Sequence, residues 1–135
     1  MQEVCDYLKR CETFYLATVD GDQPRVRAFG AAHIFEGKLY IITARAKAVS
    51  KQMDANPKIE ICAIEGEVFS GGSWLRLEAV AVDDNRIEAK QSMLEAYPQL
   101  QNLYNANDDN TQVLYLKDAT ATISSFGGEP KVIKF

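Results

Sequence analysis

Basic side chains are concentrated in one stretch of an otherwise acidic chain. Between Arg25 and Lys51 there are six arginines and lysines and a single acid, Glu36, which leaves a local excess of five positive charges. The remaining residues carry nine bases and eighteen acids, and the whole chain has a formal net charge of −4. A basic island in an acidic protein favours a small anionic ligand over a nucleic acid. A chance run of solvated surface side chains is the alternative.

The spacing within this stretch predicts a hairpin that brings its donors together. Glu36-Gly37 has the chemistry of a two-residue loop, so a strand from Arg25 to Phe35 is expected to pair with Lys38–Thr43. In this register Phe35 faces the first residue of the returning strand, and Gly30 lies opposite Thr43. The hairpin therefore predicts which side chains meet at its far end.

At that end the same register sets Arg27 level with Ala46, where a helix over residues 46–55 is expected to begin. Arg25 and Arg27 share one strand face, because side chains alternate along a strand. A helix N-terminus offers free N–H groups and partial positive charge, and arginine binds phosphate oxygens in pairs. A phosphate site is therefore predicted from the guanidinium groups of Arg25 and Arg27, the Thr43 hydroxyl and the Lys47 ammonium group.

The pattern of strands and helices predicts a mostly antiparallel β-barrel with a few helices at its rim. Residues 1–135 are expected to form a single domain. Asn85-x-x-Glu88 has the spacing of a capping box, and its helix is expected to turn Ile87, Leu94 and Tyr97 inward. The other predicted elements are a helix over 2–11 and strands over Thr13–Val19, Lys58–Ile64, Trp74–Val82, Val113–Phe126 (bent near Asp118) and Lys131–Phe135.

Composition excludes several classes of protein. Hydrophobic residues make up 47% and charged residues 25% of 135 residues, as in ordinary globular domains. No apolar run approaches the roughly 18 residues of a membrane span, and Glu3 and Asp6 stand where a secretion signal would be basic and then apolar. The three cysteines lack CxxC spacing, so reduced thiols in a cytoplasmic protein are expected. No Ser/His/Asp arrangement, P-loop or GxGxxG occurs.

Three segments of the chain resemble a known family. RVRAFGAAHIFEGKLYIITARAKAVSKQMDANPKIEICAI is similar to the FMN-binding core of the pyridoxamine 5′-phosphate oxidase-like split barrels, and WLRLEAVAV and ATATISSFGGEPKVIKF extend the resemblance over nearly the whole chain. The resemblance implies a six-stranded antiparallel split barrel that forms a homodimer, with FMN bound in clefts between the subunits. Ala28 departs from the family, where many relatives have proline, and Ala46 stands where a second basic residue is common.

The resemblance also implies which residues bind the cofactor. Lys47 matches the basic residue that grips the phosphate, and Trp74 and Arg76 resemble residues that complete the pocket from the partner subunit. The full set of matching positions is Arg25, Val26 and Arg27, then Ile42, Thr43 and Ala44, then Lys47, and finally Trp74 and Arg76. Arg76 is expected to have an anionic partner, with Glu78 as the candidate if it lies within reach.

Several functions are compatible with this resemblance. The first is an FMN-dependent oxidoreductase that transfers hydride or electrons between a reduced nicotinamide or other donor and a small organic acceptor. The chain stops at VIKF without the Arg-rich tail of pyridoxamine 5′-phosphate oxidase itself, so a short member similar to nitroimidazole-resistance reductases is expected. A flavin carrier or redox sensor without catalysis is the second function. Haem binding ranks lowest, because His33 is the single histidine and is expected to serve packing or an interface.

Overall fold

A computed structural model describes all residues 1–135. Every strand pairing in it is antiparallel, so the predicted mostly β architecture with a few peripheral helices is confirmed, with eight strands rather than six. The elements are α1 (Gln2–Cys11), β1 (Phe14–Asp20), β2 (Gln23–Phe29), β3 (Ala32–Phe35), β4 (Lys38–Ala44), α2 (Ala48–Ala55), β5 (Lys58–Glu65), β6 (Ser73–Asp83), α3 (Ile87–Ala96), the 3₁₀ helix Pro98–Asn102, β7 (Thr111–Ser124) and β8 (Lys131–Lys134).

The sheet is split between two strands that are adjacent in sequence. Its order is β2-β1-β5-β6-β7-β4-β3, with β8 beside β7, so β2 and β3 lie at opposite ends of the path. Only Gly30 and Ala31 separate these strands, and the sheet must therefore curl until its two edges meet. The edges are joined by the chain and not by a ladder of hydrogen bonds. We call this junction the split.

The split corrects the prediction of one continuous strand from Arg25 to Phe35. The predicted hairpin register is confirmed from Phe35↔Lys38 to Ala32↔Ile41. Beyond Gly30 the prediction is wrong, because β2 leaves β4 and pairs with β1 instead, with Arg27 opposite Leu16.

Side chains from alternate strand positions fill the interior. Leu16, Ile41, Ile61 and Leu77 are completely buried there, and α1 adds Leu8 at one end. A barrel of this size fills its own interior and has no lumen for a ligand. A binding site must therefore lie at the rim, at the split or on the outer face.

Two local predictions have different outcomes. The bend predicted in β7 is confirmed, since Asp118 has a positive φ of 52° and the pairing with β6 shifts register between Glu78 and Val80. The α3 capping box is wrong, because the helix begins after Arg86 without any side-chain cap. Leu94 is buried as predicted, whereas Ile87 is half exposed, because the start of α3 buries Ala89 and Lys90 instead.

The outer face of β2, β1 and β5 carries large apolar side chains that no helix covers. Tyr15, Val19, Val26 and Ile64 are between 40% and 68% exposed, and they lie on adjacent strands. We call these four residues the outer apolar face. A contiguous apolar surface on a protein typically marks a contact with another molecule. None of the helices has the length and apolar character that a membrane span requires.

Candidate functional site

A cleft of about 200 Å³ opens at the split. One wall is the segment 28–31, and the opposite wall is the end of β4, with Ile42 and Thr43. Lys47 lies at one end of this cleft. The remaining lining residues come from the 3₁₀ helix and its flanks, and they are Tyr97, Gln99, Leu100, Leu103 and Tyr104. The cleft thus combines apolar walls with a cation.

Lys47 is held at the start of α2. It is the residue before the first helical turn, its N–H group donates to the carbonyl oxygen of Ala44 at 3.0 Å, and its own carbonyl accepts from Ser50 at 3.1 Å. No side chain caps this helix N-terminus, and its first turn contains no acid. The partial positive charge of the helix end is therefore added to the ammonium group without an internal counter-charge.

The turn that carries Lys47 is fixed by Asn110, from the loop before β7. The backbone carbonyl of Asn110 accepts the N–H of Arg45 at 2.7 Å, and its side-chain Oδ1 accepts the N–H of Ala46 at 3.0 Å. Asp108 Oδ1 in turn accepts the N–H of Asn110 at 3.1 Å. Asn110 is not among the residues predicted for the site from the sequence. The clustered Asn and Asp side chains were the available signal, because these residues bind nearby backbone groups.

A buried polar group links α2 to the sheet beneath the cleft. Ser50 donates from Oγ to Gln112 Oε1 at 2.6 Å, and Gln112 lies opposite Thr43 in the ladder between β4 and β7. All three side chains are at least 98% buried. The Nε2 of Gln112 has no partner in the protein. Such an amide donor, buried next to a residue that lines the cleft, is costly without an acceptor.

Neither of the two arginines predicted at the phosphate site lines this cleft within the protomer. Arg25 pairs with Asp20 at 3.1 Å. The guanidinium group of Arg27 donates to the Leu16 carbonyl at 3.2 Å and to Thr18 Oγ1 and Gln52 Oε1, both at 2.7 Å. Burial, and then the charge of Arg25, lower the Arg27 pKa. The register that set Arg27 level with Ala46 is wrong because β2 pairs with β1, although its bond to Gln52 still attaches it to α2.

The other predicted cofactor-binding residues are divided between two places. Ile42 and Thr43 line the cleft, and buried Ala44 contributes the carbonyl that holds Lys47. Val26 belongs to the outer apolar face. Trp74 and Arg76 line a separate groove of about 230 Å³ on the face of β6. Val26, Trp74 and Arg76 therefore do not line the cleft of their own protomer.

Arg76 has an anionic partner, as predicted, but the partner is Glu60 and not Glu78. Its Nε and Nη2 donate to Glu60 Oε2 at 2.9 and 2.8 Å. Glu60 lies on the neighbouring strand β5, whereas Glu78 is two residues along the same strand. Arg76 is paired with Cys62 in the ladder, so Glu60 is its diagonal neighbour, at a separation that a long arginine side chain can span.

Tyr97 fixes the chain at the split. Its hydroxyl donates to the carbonyl oxygen of Ala32 at 2.8 Å and accepts the N–H of the same residue at 3.2 Å. Sequence reasoning predicted Tyr97 only as an inward-facing residue of α3. Neither this clamp nor the lining by Leu100 and Tyr104 is visible as a local pattern, because both depend on how the 3₁₀ helix folds back.

His33 is engaged in a contact within the protomer. Its Nε2 lies 2.7 Å from the Ser92 hydroxyl on α3, and the side chain is partly buried. Burial, and then the charge of Lys9, lower the His33 pKa, which favours the neutral imidazole. This contact agrees with the packing role expected from the sequence.

Comparison with known proteins gives consistent similarities. The model of the family described as pyridoxamine 5′-phosphate oxidase matches residues 1–124. A NimC/NimA family protein from Clostridium acetobutylicum is 44% identical, with a TM-score of 0.93 over 100% of this chain and 92% of that one. None of the curated proteins matches this chain.

Two more distant structures share the fold alone. General Stress Protein 26 from Bacillus anthracis is 18% identical, with a TM-score of 0.75 over 99% of this chain and 98% of that one. A heme binding protein from Mycobacterium smegmatis is 13% identical, with a TM-score of 0.69 over 96% of this chain and 57% of that one.

Proposed function

The chain belongs to the pyridoxamine 5′-phosphate oxidase family, and on that premise we propose that it is an FMN-binding oxidoreductase. The observation that carries the proposal is the cleft at the split, where Lys47 stands at an uncapped helix N-terminus beside apolar walls. The cation and the helix end suit the phosphate of FMN, and Ile42 and Leu100 suit its flat ring system. When bound, FMN supplies the redox chemistry, and the protein binds, orients and tunes it.

The proposed division of labour follows from the positions of the side chains. Lys47 binds the phosphate, and Asn110 keeps the turn before it in place. Thr43 offers a hydroxyl at the wall of the cleft, and the unpartnered amide of Gln112 lies directly across the ladder from it. Arg27 stiffens the junction between β2 and α2 through Gln52. These groups hold and shield the cofactor without acting as a general acid or base.

The size of the cleft supports a homodimer. Its volume of about 200 Å³ is below the roughly 300–1,000 Å³ of pockets that hold drug-sized ligands. One protomer therefore encloses only part of a flavin, and a second copy can supply the missing wall. The outer apolar face provides a surface for that contact. We propose that Trp74 and Arg76 reach the flavin from the partner subunit.

The first experiment is the visible spectrum of the freshly purified protein, followed by titration of the flavin-free protein with FMN. Lys47→Ala is expected to weaken FMN binding about tenfold or more, because a charge-assisted phosphate contact is worth about 1.5–3 kcal/mol. Lys51→Ala is the matched control, since Lys51 lies on the same helix, is exposed and does not line the cleft. A colourless protein that fails to bind added FMN would refute the proposal.

Two alternatives are separated by further measurements. A flavin carrier or sensor would bind FMN but would not reoxidise it faster than free FMN with any acceptor, whereas an oxidoreductase would. Haem binding is disfavoured, because the one histidine, His33, already contacts Ser92. A Soret band that persists in His33→Ala would exclude His33 as the ligand. The three free cysteines support a reducing, cytoplasmic location.

A further inference from the structure

A lysine lies in the buried stripe of α3. Lys90 is only 3% exposed and stands among the buried apolar residues Ala89, Met93 and Leu94 of the same helix. No other lysine or arginine of the chain is buried, and Lys90 does not line the cleft at the split. A charged side chain in such a position is costly unless its charge is compensated. Lys90 must therefore have a polar partner within reach.

The partner of Lys90 is the loop before β7. The ammonium group donates to the backbone carbonyl oxygen of Asp108 at 3.4 Å, which is the one hydrogen bond of this side chain. The carboxylate of Asp108 is also within electrostatic reach. The N–H group of Thr111 is the largest cause of a lowered Asp108 pKa, and the N–H group of Asn110 and the charge of Lys90 add to it. Lys90 thus connects α3 to Asp108.

Asp108 in turn fixes the position of Asn110. Its Oδ1 accepts the N–H group of Asn110 at 3.1 Å. Asn110 then accepts the N–H groups of the two residues that precede Lys47, at 2.7 and 3.0 Å. A short series of contacts therefore runs from Lys90, through Asp108 and Asn110, to the turn that carries Lys47.

The loop has little else to hold it in place. Ala106 is the only apolar side chain of residues 105–110, so burial contributes little to the order of this segment. The hydrogen bonds of the loop to other elements are those to the turn before Lys47 and the one from Lys90. Lys90 is therefore the contact that attaches the loop to a helix.

We propose that Lys90 is a positioning residue for the phosphate end of the cleft, and that it makes the site select phosphorylated flavin over riboflavin. It acts through Asp108 and Asn110 and does not touch the ligand. When the loop is attached to α3, Lys47 and the start of its helix are presented in one geometry. Riboflavin has no phosphate and does not sense this geometry. The inference rests on the proposed binding of FMN, although the contacts that carry it are present without a ligand.

The first test is amide hydrogen exchange, measured by NMR on the full-length, flavin-free protein. Lys90→Met keeps an unbranched side chain and removes the charge, and we expect about tenfold faster exchange of the Arg45 and Ala46 N–H groups. Exchange at Ile61, in the core, should not change. Lys51→Met is the matched control, because it removes the same charge from an exposed position on α2. Lys90→Leu provides a second neutral side chain of the kind that helices commonly bury, and it should give the same result.

The second test compares the two flavins. Lys90→Met should weaken FMN binding about fivefold and leave riboflavin binding unchanged, because only the phosphate depends on the turn. In an Asn110→Ala background the same change should have no further effect on FMN, since both substitutions break one series of contacts. A merely structural role of Lys90 would instead weaken both flavins equally.

Three results would overturn the proposal. They are wild-type exchange at Arg45 and Ala46 in Lys90→Met, equal losses for FMN and riboflavin, and effects of Lys90→Met and Asn110→Ala on FMN affinity that add. A wild-type protein that binds no FMN would refute the proposed function and, with it, the selectivity for the phosphate. Faster exchange in Lys90→Met would even then establish that Lys90 fixes the turn, so the two failures are distinguishable.

Discussion

Asp84 lies at the centre of a charged network that joins three elements of the fold. Tyr40 donates from its hydroxyl to Asp84 Oδ2 at 2.8 Å, and Arg86 donates from Nε to Oδ1 at 3.0 Å and from Nη2 to Oδ2 at 2.9 Å. The Nη2 of Arg86 also reaches Glu36 Oε2 at 2.9 Å. The Asp84 side chain is only 9% exposed. Removal of its charge is therefore expected to destabilise the protein.

The magnitude follows from the pKa of this carboxyl group. The hydrogen bonds from Arg86, followed by that from Tyr40, outweigh burial and lower the Asp84 pKa from 3.8 to about 2. At about 1.4 kcal/mol per pKa unit, this difference corresponds to about 2.5 kcal/mol of folding free energy. Because the folded-state pKa is depressed, the contribution is complete above about pH 4 and is lost as the pH falls through about 2.

The assay is urea unfolding of wild type and Asp84→Asn between pH 2.5 and 7. We expect Asp84→Asn to lower the free energy of unfolding by about 2–3 kcal/mol at pH 7, with the difference shrinking below pH 4. Glu36→Gln is the matched control, because Glu36 contacts the same arginine but is half exposed, so its loss should cost only about 0.5 kcal/mol. A loss below about 1 kcal/mol for Asp84→Asn at pH 7, or a difference that grows on acidification, would refute the reasoning.

Three further predictions concern the split, the outer apolar face and the core. Asn110→Ala removes the acceptor of the Ala46 N–H group and should weaken FMN binding about tenfold while leaving riboflavin, which has no phosphate, unaffected. Asn107→Ala serves as its control, and equal losses for both flavins would contradict the role assigned to Asn110. Val26→Asp should convert a dimer to a monomer in light scattering at unchanged helix and strand content; an unaltered mass would place the interface elsewhere. Leu77→Ala should lower the free energy of unfolding by about 3 kcal/mol in urea titration, and a cost below about 1 kcal/mol would mean that the core closes over the gap.

Local patterns predicted the parts of the fold that depend on neighbours in sequence. The helix over 2–11, the hairpin around Glu36-Gly37 and the bend near Asp118 all follow from residue type and spacing, and all are present. The break at Gly30 was missed, because apolar alternation continues across it and nothing local shows that β2 changes partner. Strand order is decided by long-range packing, which a hairpin register does not contain.

The residues of the candidate site were likewise predictable only where local sequence signals existed. Lys47 and Thr43, predicted from local signals (a cation before a helix and a hydroxyl at a strand end), both line the cleft. Asn110 and Tyr97 were missed as site residues, because each acts on backbone groups about 64 positions away in the chain. Arg27 was misplaced by extending a correct register past the split. Contacts between distant segments can be read only from the folded chain.

The split also has a mechanical consequence. A closed barrel cannot widen without breaking a ladder of hydrogen bonds, but β2 and β3 share none, and they are linked only through Gly30 and Ala31. The split can therefore open and close by changing side-chain packing alone, while the hydrogen bonds of β2 and β3 to their own neighbouring strands remain intact. Tyr97, which holds both backbone groups of Ala32, acts as the latch that limits this movement. A ligand bound at the split would contact both β2 and β3 and so connect two sheet edges that share no hydrogen bonds.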